Sequence, residues 1–330
     1  MSIEAFDATL WALDQGAIVL PKEGLILIDG AVPHALLRSI PQERIRVRQD
    51  WQPTASQLHL SAWLNEPLAA ALVFPAKQRD RALGDLATAA EAVVPGGLVL
   101  LAAPNTAGAG RFARDLTDLL GNSESVSKHK ARVAWGRRTD DFDMALAKTW
   151  EQAAAPAPIL DGSVTSQPGL FAWDRVDPGS ALLAECLPEK ISGRVADIGC
   201  GWGFLAREVI RKTNDLAVLD LYDADARAVA LAGHNVGRPA RVLWRDVMGG
   251  LDGTYDLIFS NPPFHEGQAR RVDLGQGFIR TAAGALAPGG RLMLVANRSL
   301  PYERIMGEYL KDVAMLADAG GYKVLTGVKA

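Results

Sequence analysis

Asp197-Ile198-Gly199-Cys200-Gly201-Trp202-Gly203 is the stretch on which the fold turns. It sits at the end of a short apolar run, Val195 to Ile198, and leads into a helix-like run, Phe204 to Arg211. Glycines at a strand end let the backbone turn sharply and let a ligand approach without Cβ clashes. The spacing is Asp-x-Gly-x-Gly-x-Gly, not the G-x-G-x-x-G of dinucleotide sites. A ligand without a pyrophosphate does not need the helix amino end as an anion grip. An acidic residue at the strand end, Asp197, instead favours a cationic ligand.

Outward from this loop the second half alternates. Strand-like runs at Leu216 to Leu221, Arg241 to Trp244, Leu257 to Ser260 and Leu292 to Ala296 are interleaved with helix-like runs at Asp225 to His234 and Gly275 to Leu286. Such alternation predicts a mostly parallel sheet covered by helices, with ligands at the carboxyl ends of its strands. The first half is sparser but similar. It has strand-like runs at Leu25 to Asp29, Ile45 to Val47 and Leu72 to Phe74, and helix-like runs at Arg79 to Val93 and Arg111 to Leu120. Pro95-Gly96-Gly97 before Leu98 to Ala103 echoes Pro288-Gly289-Gly290 before Leu292 to Ala296. A duplicated α/β domain is the reading favoured here. The first copy lacks the glycine loop, since its first strand runs into Gly30-Ala31-Val32-Pro33-His34. Gln152 to Pro158 is Ala/Pro-rich, and the expected boundary lies there, dividing 1–155 from 156–330.

The strand ends add to the loop. Asp223, after the second strand, is placed to accept from ribose hydroxyls, although a helix N-cap at Asp223 or Asp225 is the plainer alternative. Asp246, after the third, is placed to accept from an adenine amino group, with a solvated turn as its plainer alternative. With Gly199, Gly201 and Gly203 these acids outline a site for S-adenosylmethionine. A nicotinamide enzyme would need a different glycine spacing.

Ser260-Asn261-Pro262-Pro263-Phe264 supplies the other half of a reaction. The prolines fix φ and push Asn261 toward extended backbone. They carry carbonyl acceptors and no amide hydrogen. A planar –NH2 can donate to Asn261 Oδ1 and to the Pro262 carbonyl, with Phe264 stacking on its flat face. The methyl donor is already activated, so orientation supplies most of the rate. His265 is read as a local hydrogen-bonder rather than a catalyst.

Composition narrows the partners. The 330 residues are 48% hydrophobic and 22% charged, enough for two globular domains, with a net charge of −3. A protein gripping long duplex nucleic acid is usually basic overall, so contacts to nucleic acid must be local. The cysteines, Cys186 and Cys200, form no CxxC pair, and no metal site is expected. Met1 to Leu20 holds Glu4, Asp7 and Asp14 without a basic leader. No apolar run reaches membrane-spanning length, and a cytoplasmic protein is expected. The densest basic stretch, Lys128, Lys130 and Arg132 with Arg137 and Arg138, and Trp135 among them, either tracks single-stranded RNA or is a solvated strand face. Arg270 and Arg271, just past the Asn-Pro-Pro-Phe turn, are better placed to meet a substrate phosphate, with a surface helix face as the alternative.

These motifs resemble class I S-adenosylmethionine-dependent methyltransferases with an Asn-Pro-Pro-aromatic turn. More narrowly, the chain resembles the RsmC/RlmG family of ribosomal RNA guanine-N2 methyltransferases. The likeness runs through Pro168 to Phe171, Asp177 to Leu183, Asp197 to Gly203, Asn261 to His265, Ala296 to Tyr302 and Gly321 to Leu325. It implies two tandem Rossmann-like methyltransferase folds, with the C-terminal copy on cofactor and a degenerate N-terminal copy that helps folding and holds RNA. It implies that Asn261, Pro262 and Phe264 meet a guanine N2 amine in ribosomal RNA, small-subunit RNA being favoured, free or in an assembled ribosomal subunit. It also implies that Phe171 and Asp174 close over the methionine end, with core packing the alternative for Phe171. The competing functions are methylation of a protein glutamine amide or adenine N6, and a non-catalytic RNA-binding or ribosome-assembly factor. A base inside a duplex would have to be flipped out.

Overall fold

The computed structural model describes residues 3–213, 215–263 and 268–330, and only the backbone of residues 268–273. The chain divides into two compact α/β units. The first comprises residues 1–49, 54–156 and 167–169. The second comprises 50–53, 157–166 and 170–330, so it takes in Asp50–Pro53 from the first half of the chain.

The first unit is built on β1 (Ile26–Asp29), β2 (Ile45–Arg48), β3 (Leu68–Val73), β4 (Val93–Pro104), β5 (Glu124–Lys128) and β6 (Ala131–Arg137). Their order is β2-β1-β3-β4-β6-β5. After a small hairpin, β7 (Ala157–Ile159) and β8 (Val164–Ser166), the second unit is built on seven strands. These are β9 (Gly193–Ile198), β10 (Leu216–Asp223), β11 (Ala240–Trp244), β12 (Tyr255–Ser260), β13 (Leu286–Asn297), β14 (Lys311–Ala319) and β15 (Tyr322–Val328). Their order is β11-β10-β9-β12-β13-β15-β14. Apart from β11, the two sheets follow one pattern. β9 to β13 pair in parallel, as the alternation predicts, but β15 and β14 close the sheet antiparallel. The first unit closes the same way with β6 and β5.

Each sheet carries an apolar core on both faces. Helix Ala109–Leu120 shows how the sequence dictates this. Phe112, Ala113, Leu116, Leu119 and Leu120 recur at helical spacing and are buried, and the helix ends at Gly121. In the second unit Asp225 caps helix Ala226–Val236 by accepting from the Arg227 amide at 3.0 Å. Below the open end of that sheet, Tyr255 donates to Asp220 at 2.6 Å and lies 2.7 Å from the Tyr222 hydroxyl. Arg241 makes two 2.8 Å hydrogen bonds to the same carboxylate.

Register makes the duplication explicit. Val73 pairs with Leu101, and Ser260 pairs with Leu294, each at the same distance beyond its Pro-Gly-Gly turn. Phe74 therefore stands where Asn261 stands. In the first unit Phe74 stacks on Phe6 of helix Ile3–Asp14, ring centroids 3.6 Å apart and planes 9° from parallel. An apolar pair fills the position of the amide, and burying two such rings stabilises the unit by roughly 3–6 kcal/mol. The loop is closed differently too. Gln49 donates through Nε2 to the Ala31 carbonyl at 2.6 Å, and Arg48 holds the buried Asp29 with two hydrogen bonds.

Some elements escaped the sequence reading. Helix Met144–Ala154 runs into the stretch read as a linker, and β7 begins inside it at Ala157. The N-terminal helix and the two antiparallel edge pairs were also not read from periodicity.

Candidate active site

β9 and β12 are parallel neighbours, with Phe259 opposite Asp197. The glycine loop and the Asn-Pro-Pro turn therefore leave the sheet side by side at the same end. Ser260 ties the two strand ends together by donating to the Ile198 carbonyl at 2.6 Å.

The loop is wound tightly. The amides of Gly199 and Cys200 both donate to the Tyr222 carbonyl, at 2.8 and 3.0 Å. Gly203 starts helix Phe204–Lys212 at φ 93°, and a Cβ there would lie 2.7 Å from Val236 Cγ2. Gly201 is the opposite case. It has φ 54°, and a Cβ there would meet nothing within 4 Å. Its backbone is bare toward open space, as a ligand cradle requires.

Asp223 braces this cradle. Its Oδ2 accepts from the Gly201 amide at 2.9 Å and its Oδ1 from the Asp225 amide at 2.9 Å. Burial pushes its carboxyl up to about 6, against the pull of those amides. The N-cap read as an alternative for Asp223 belongs to Asp225. Asp197 is fully buried, and among the described residues neither carboxylate oxygen has a hydrogen-bond partner. Burial, with the Asp223 charge adding to it, raises its pKa well above the ordinary range. A buried carboxylate without a partner is costly unless a cation meets it. Asp246 accepts from the Met248 amide at 3.0 Å, capping a short turn, and Val247 beside it is buried. These features fit a cationic nucleoside: an open glycine cradle, a carboxyl at the end of β10 that braces it, and a buried carboxyl without a hydrogen-bond partner among the described residues.

Asn261 is held by groups that the sequence reading did not single out for a role. Its Nδ2 donates to Asp177 Oδ2 at 2.9 Å and to Ser180 Oγ at 2.8 Å. Asp177 also caps helix Pro178–Cys186 by accepting from the Ser180 amide at 2.8 Å. An ionised carboxylate only accepts, so the amide nitrogen must face it. Asn261 Oδ1 is then left buried with no partner among the described residues. The signal was the Asp177-Pro178-Gly179-Ser180 string, a capping pattern with proline at the start of a helix. Pro262 is buried and Pro263 exposed.

The other expected residues are scattered. Phe171 is 45% exposed, which removes the core-packing alternative. Its neighbour Ala172 is tied to the glycine loop by the Trp202 indole, at 3.3 Å. Asp174 pairs with Arg175 at 2.6 Å. Lys128 and Lys130 are exposed around the β5–β6 turn, and Lys128 lies over the Trp11 ring at 5.4 Å. Arg132 is half-buried and Trp135 is buried in the core, so Trp135 is no stacking platform. Phe264 and His265 lie outside the described residues. Arg270 and Arg271 lie on helix Gln268–Ala285, with side chains outside the description. Among the described residues no group of three metal-ligating side chains comes together, and no helix is long and apolar enough to cross a membrane.

Fold and site together are those of a class I S-adenosylmethionine-dependent methyltransferase. The methyltransferase small domain family matches residues 161–326. Ribosomal RNA small subunit methyltransferase C of Chromohalobacter salexigens is 31% identical over 307 residues, 90% of each chain. Its counterpart in Pseudomonas paraeruginosa is 32% identical over 268 residues, 78% of each chain. The solved structure of the T. thermophilus 16S rRNA N2 G1207 methyltransferase (RsmC) in complex with AdoMet and guanosine is 26% identical. It matches 95% of this chain and 90% of its own, with a TM-score of 0.77. The chain belongs to the family of ribosomal RNA small subunit methyltransferase C.

Proposed function

We propose that the protein transfers the methyl group of S-adenosylmethionine to the exocyclic N2 amine of a guanine in small-subunit ribosomal RNA. The observation that carries the reading is the pairing of two orphaned acceptors at one end of one sheet. Among the described residues neither the Asp197 carboxyl nor Asn261 Oδ1 has a hydrogen-bond partner. The cofactor, when bound, supplies an activated methyl group. Asp197, the bare backbone at Gly201 and Asp223 hold it. Asn261 Oδ1 and the Pro262 carbonyl accept from the amine and turn its lone pair toward the methyl carbon. Phe264 is assigned the stacking role on the base, and Phe171 and Asp246 further cofactor contacts. No strong base is required, because the proton leaves after transfer.

The family supports small-subunit RNA rather than the large-subunit RNA that the RlmG branch of the resemblance allows. It also favours guanine over a glutamine amide or adenine N6. The first unit, residues 1–155 in the division proposed here, is a degenerate copy. The Phe74–Phe6 stack supports this, since it leaves no amide at the Asn261 position. The exposed hairpin cations Lys128 and Lys130, with Arg132, are its candidate RNA contacts, and Arg270 and Arg271 are those of the catalytic unit. The substrate RNA and the enzyme meet in the cytoplasm in this reading.

The experiment is methylation of stripped ribosomal RNA and of assembled small subunits with labelled cofactor, followed by nucleoside analysis. Label in N2-methylguanosine is expected. Label in N6-methyladenosine, in protein or nowhere would overturn the proposal.

A further inference from the structure

The second unit takes in Asp50–Pro53, which comes from far earlier in the chain than the rest of it. This short piece is fastened at many points. Trp51 forms an antiparallel bridge with Asp225. The Gln52 amide donates to the Ala224 carbonyl at 2.8 Å, and the Ala226 amide donates to the Asp50 carbonyl at 2.9 Å. The Trp244 indole donates to the carbonyls of both Asp50 and Ala224, at 3.0 and 2.9 Å. Gln52 Oε1 accepts from the Asp246 amide at 3.3 Å. Asp50 also lies 3.5 Å from Arg227.

These attachments gather in two places: Ala224 to Arg227, in the loop after β10 and the first turn of helix Ala226–Val236, and Trp244 and Asp246, at the end of β11 and in the loop after it. β10 and β11 are parallel neighbours with Asp223 opposite Trp244, so the segment spans the gap between the two loops at the strand ends. Loops at strand ends are ordinarily the mobile parts of an α/β sheet. Here they are stitched by a short strap that bridges at Trp51 and turns into helix Gln52–Leu58.

We infer that Asp50–Gln52 is a positioning strap for the adenosine half of the cofactor site. It holds the Asp223 and Asp246 loops at fixed separation, with Gln52 as its side-chain anchor. The inference rests on the reading of this site as an S-adenosylmethionine pocket. It adds residues from the first half of the chain to a site otherwise drawn from the second. A pre-set gap reduces the ordering cost of binding, so the strap acts on affinity and not on the methyl-transfer step.

The test compares wild type with Gln52→Ala and Trp244→Phe, which cut two different stitches. Affinities for S-adenosylmethionine, S-adenosylhomocysteine and 5′-methylthioadenosine are measured by calorimetry, with melting temperatures in parallel. One lost hydrogen bond corresponds to an affinity loss of about fivefold to tenfold. The same factor is expected for all three ligands, because each carries adenosine. The KM for cofactor should rise by that factor, with kcat unchanged at saturation. Folded variants with wild-type affinity, or a lowered melting temperature with affinity intact, would overturn the strap and leave the pocket standing. No binding of any of the three by wild type would overturn the pocket itself, and the strap with it.

Discussion

The 2.9 Å hydrogen bond from Asn261 Nδ2 to Asp177 Oδ2 decides which end of the Asn261 amide is left to accept. Ser180 Oγ takes the second nitrogen-bound hydrogen at 2.8 Å. With both donors spent inside the protein, Oδ1 is the one atom of that amide available to an incoming amine.

Asp177→Ala should therefore reduce kcat by about tenfold to a hundredfold, the scale of a misdirected reacting group. Cofactor affinity should stay within about twofold. The same change removes a helix cap, so a stability loss of about 1 kcal/mol is expected beside it. Asp177→Asn keeps an acceptor for the Ser180 amide and should restore stability while leaving kcat low. Steady-state kinetics and thermal melts separate the two effects.

Gly201→Val should abolish cofactor binding. A β-branched residue is strained at φ 54°, and its side chain would occupy the open space beside the loop. Calorimetry with S-adenosylmethionine checks this, and circular dichroism shows whether the fold survives.

Cofactor affinity should depend on pH through Asp223, whose carboxyl is pushed up to about 6 by burial. The charged carboxylate accepts from two ribose hydroxyls more strongly than the protonated form does, so affinity should climb as pH rises through about 6 and level off above it. The free protein behaves oppositely. A raised carboxyl pKa means that the folded state keeps a proton the unfolded chain has lost. The contribution to stability is full below about 3.8, the ordinary value, and is lost as pH rises through about 6. Asp223→Asn should flatten both trends, read by titrations and melts across that window.

Tyr255→Phe removes a 2.6 Å hydrogen bond to the fully buried Asp220. Burial alone would raise Asp220, but Arg241 and Tyr255 hold it below the ordinary carboxylate range. Loss of the hydroxyl should cost about 1–2 kcal/mol, or a few degrees in Tm. Methyl transfer at saturating cofactor should be unaffected, since the network lies below the site.

Much of this was legible in the sequence because local chemistry was enough. Glycine spacing located the loop at Asp197 to Gly203, and apolar runs located the five parallel strands of the second unit. Two kinds of feature were not legible. The β14–β15 and β5–β6 pairs are antiparallel: β15 and β6 are buried runs and β14 and β5 mostly exposed ones, none with clear alternation, so pairing across the sheet, not propensity, makes them strands. Asp177 and the proposed Asp50–Gln52 strap lie far in sequence from the residues they touch. Their roles depend on where the fold brings them, which no spacing rule contains. Trp135 shows the same limit: an aromatic among cations left RNA tracking and a plain strand face both open, and its strand turns it into the core.

The most direct test is the single-turnover rate of Asn261→Ala at saturating cofactor, with cofactor affinity measured on the same preparation. The account predicts a rate at least about a hundredfold below wild type and an affinity within about twofold. A wild-type rate would contradict it, and so would a loss that tracks cofactor affinity alone.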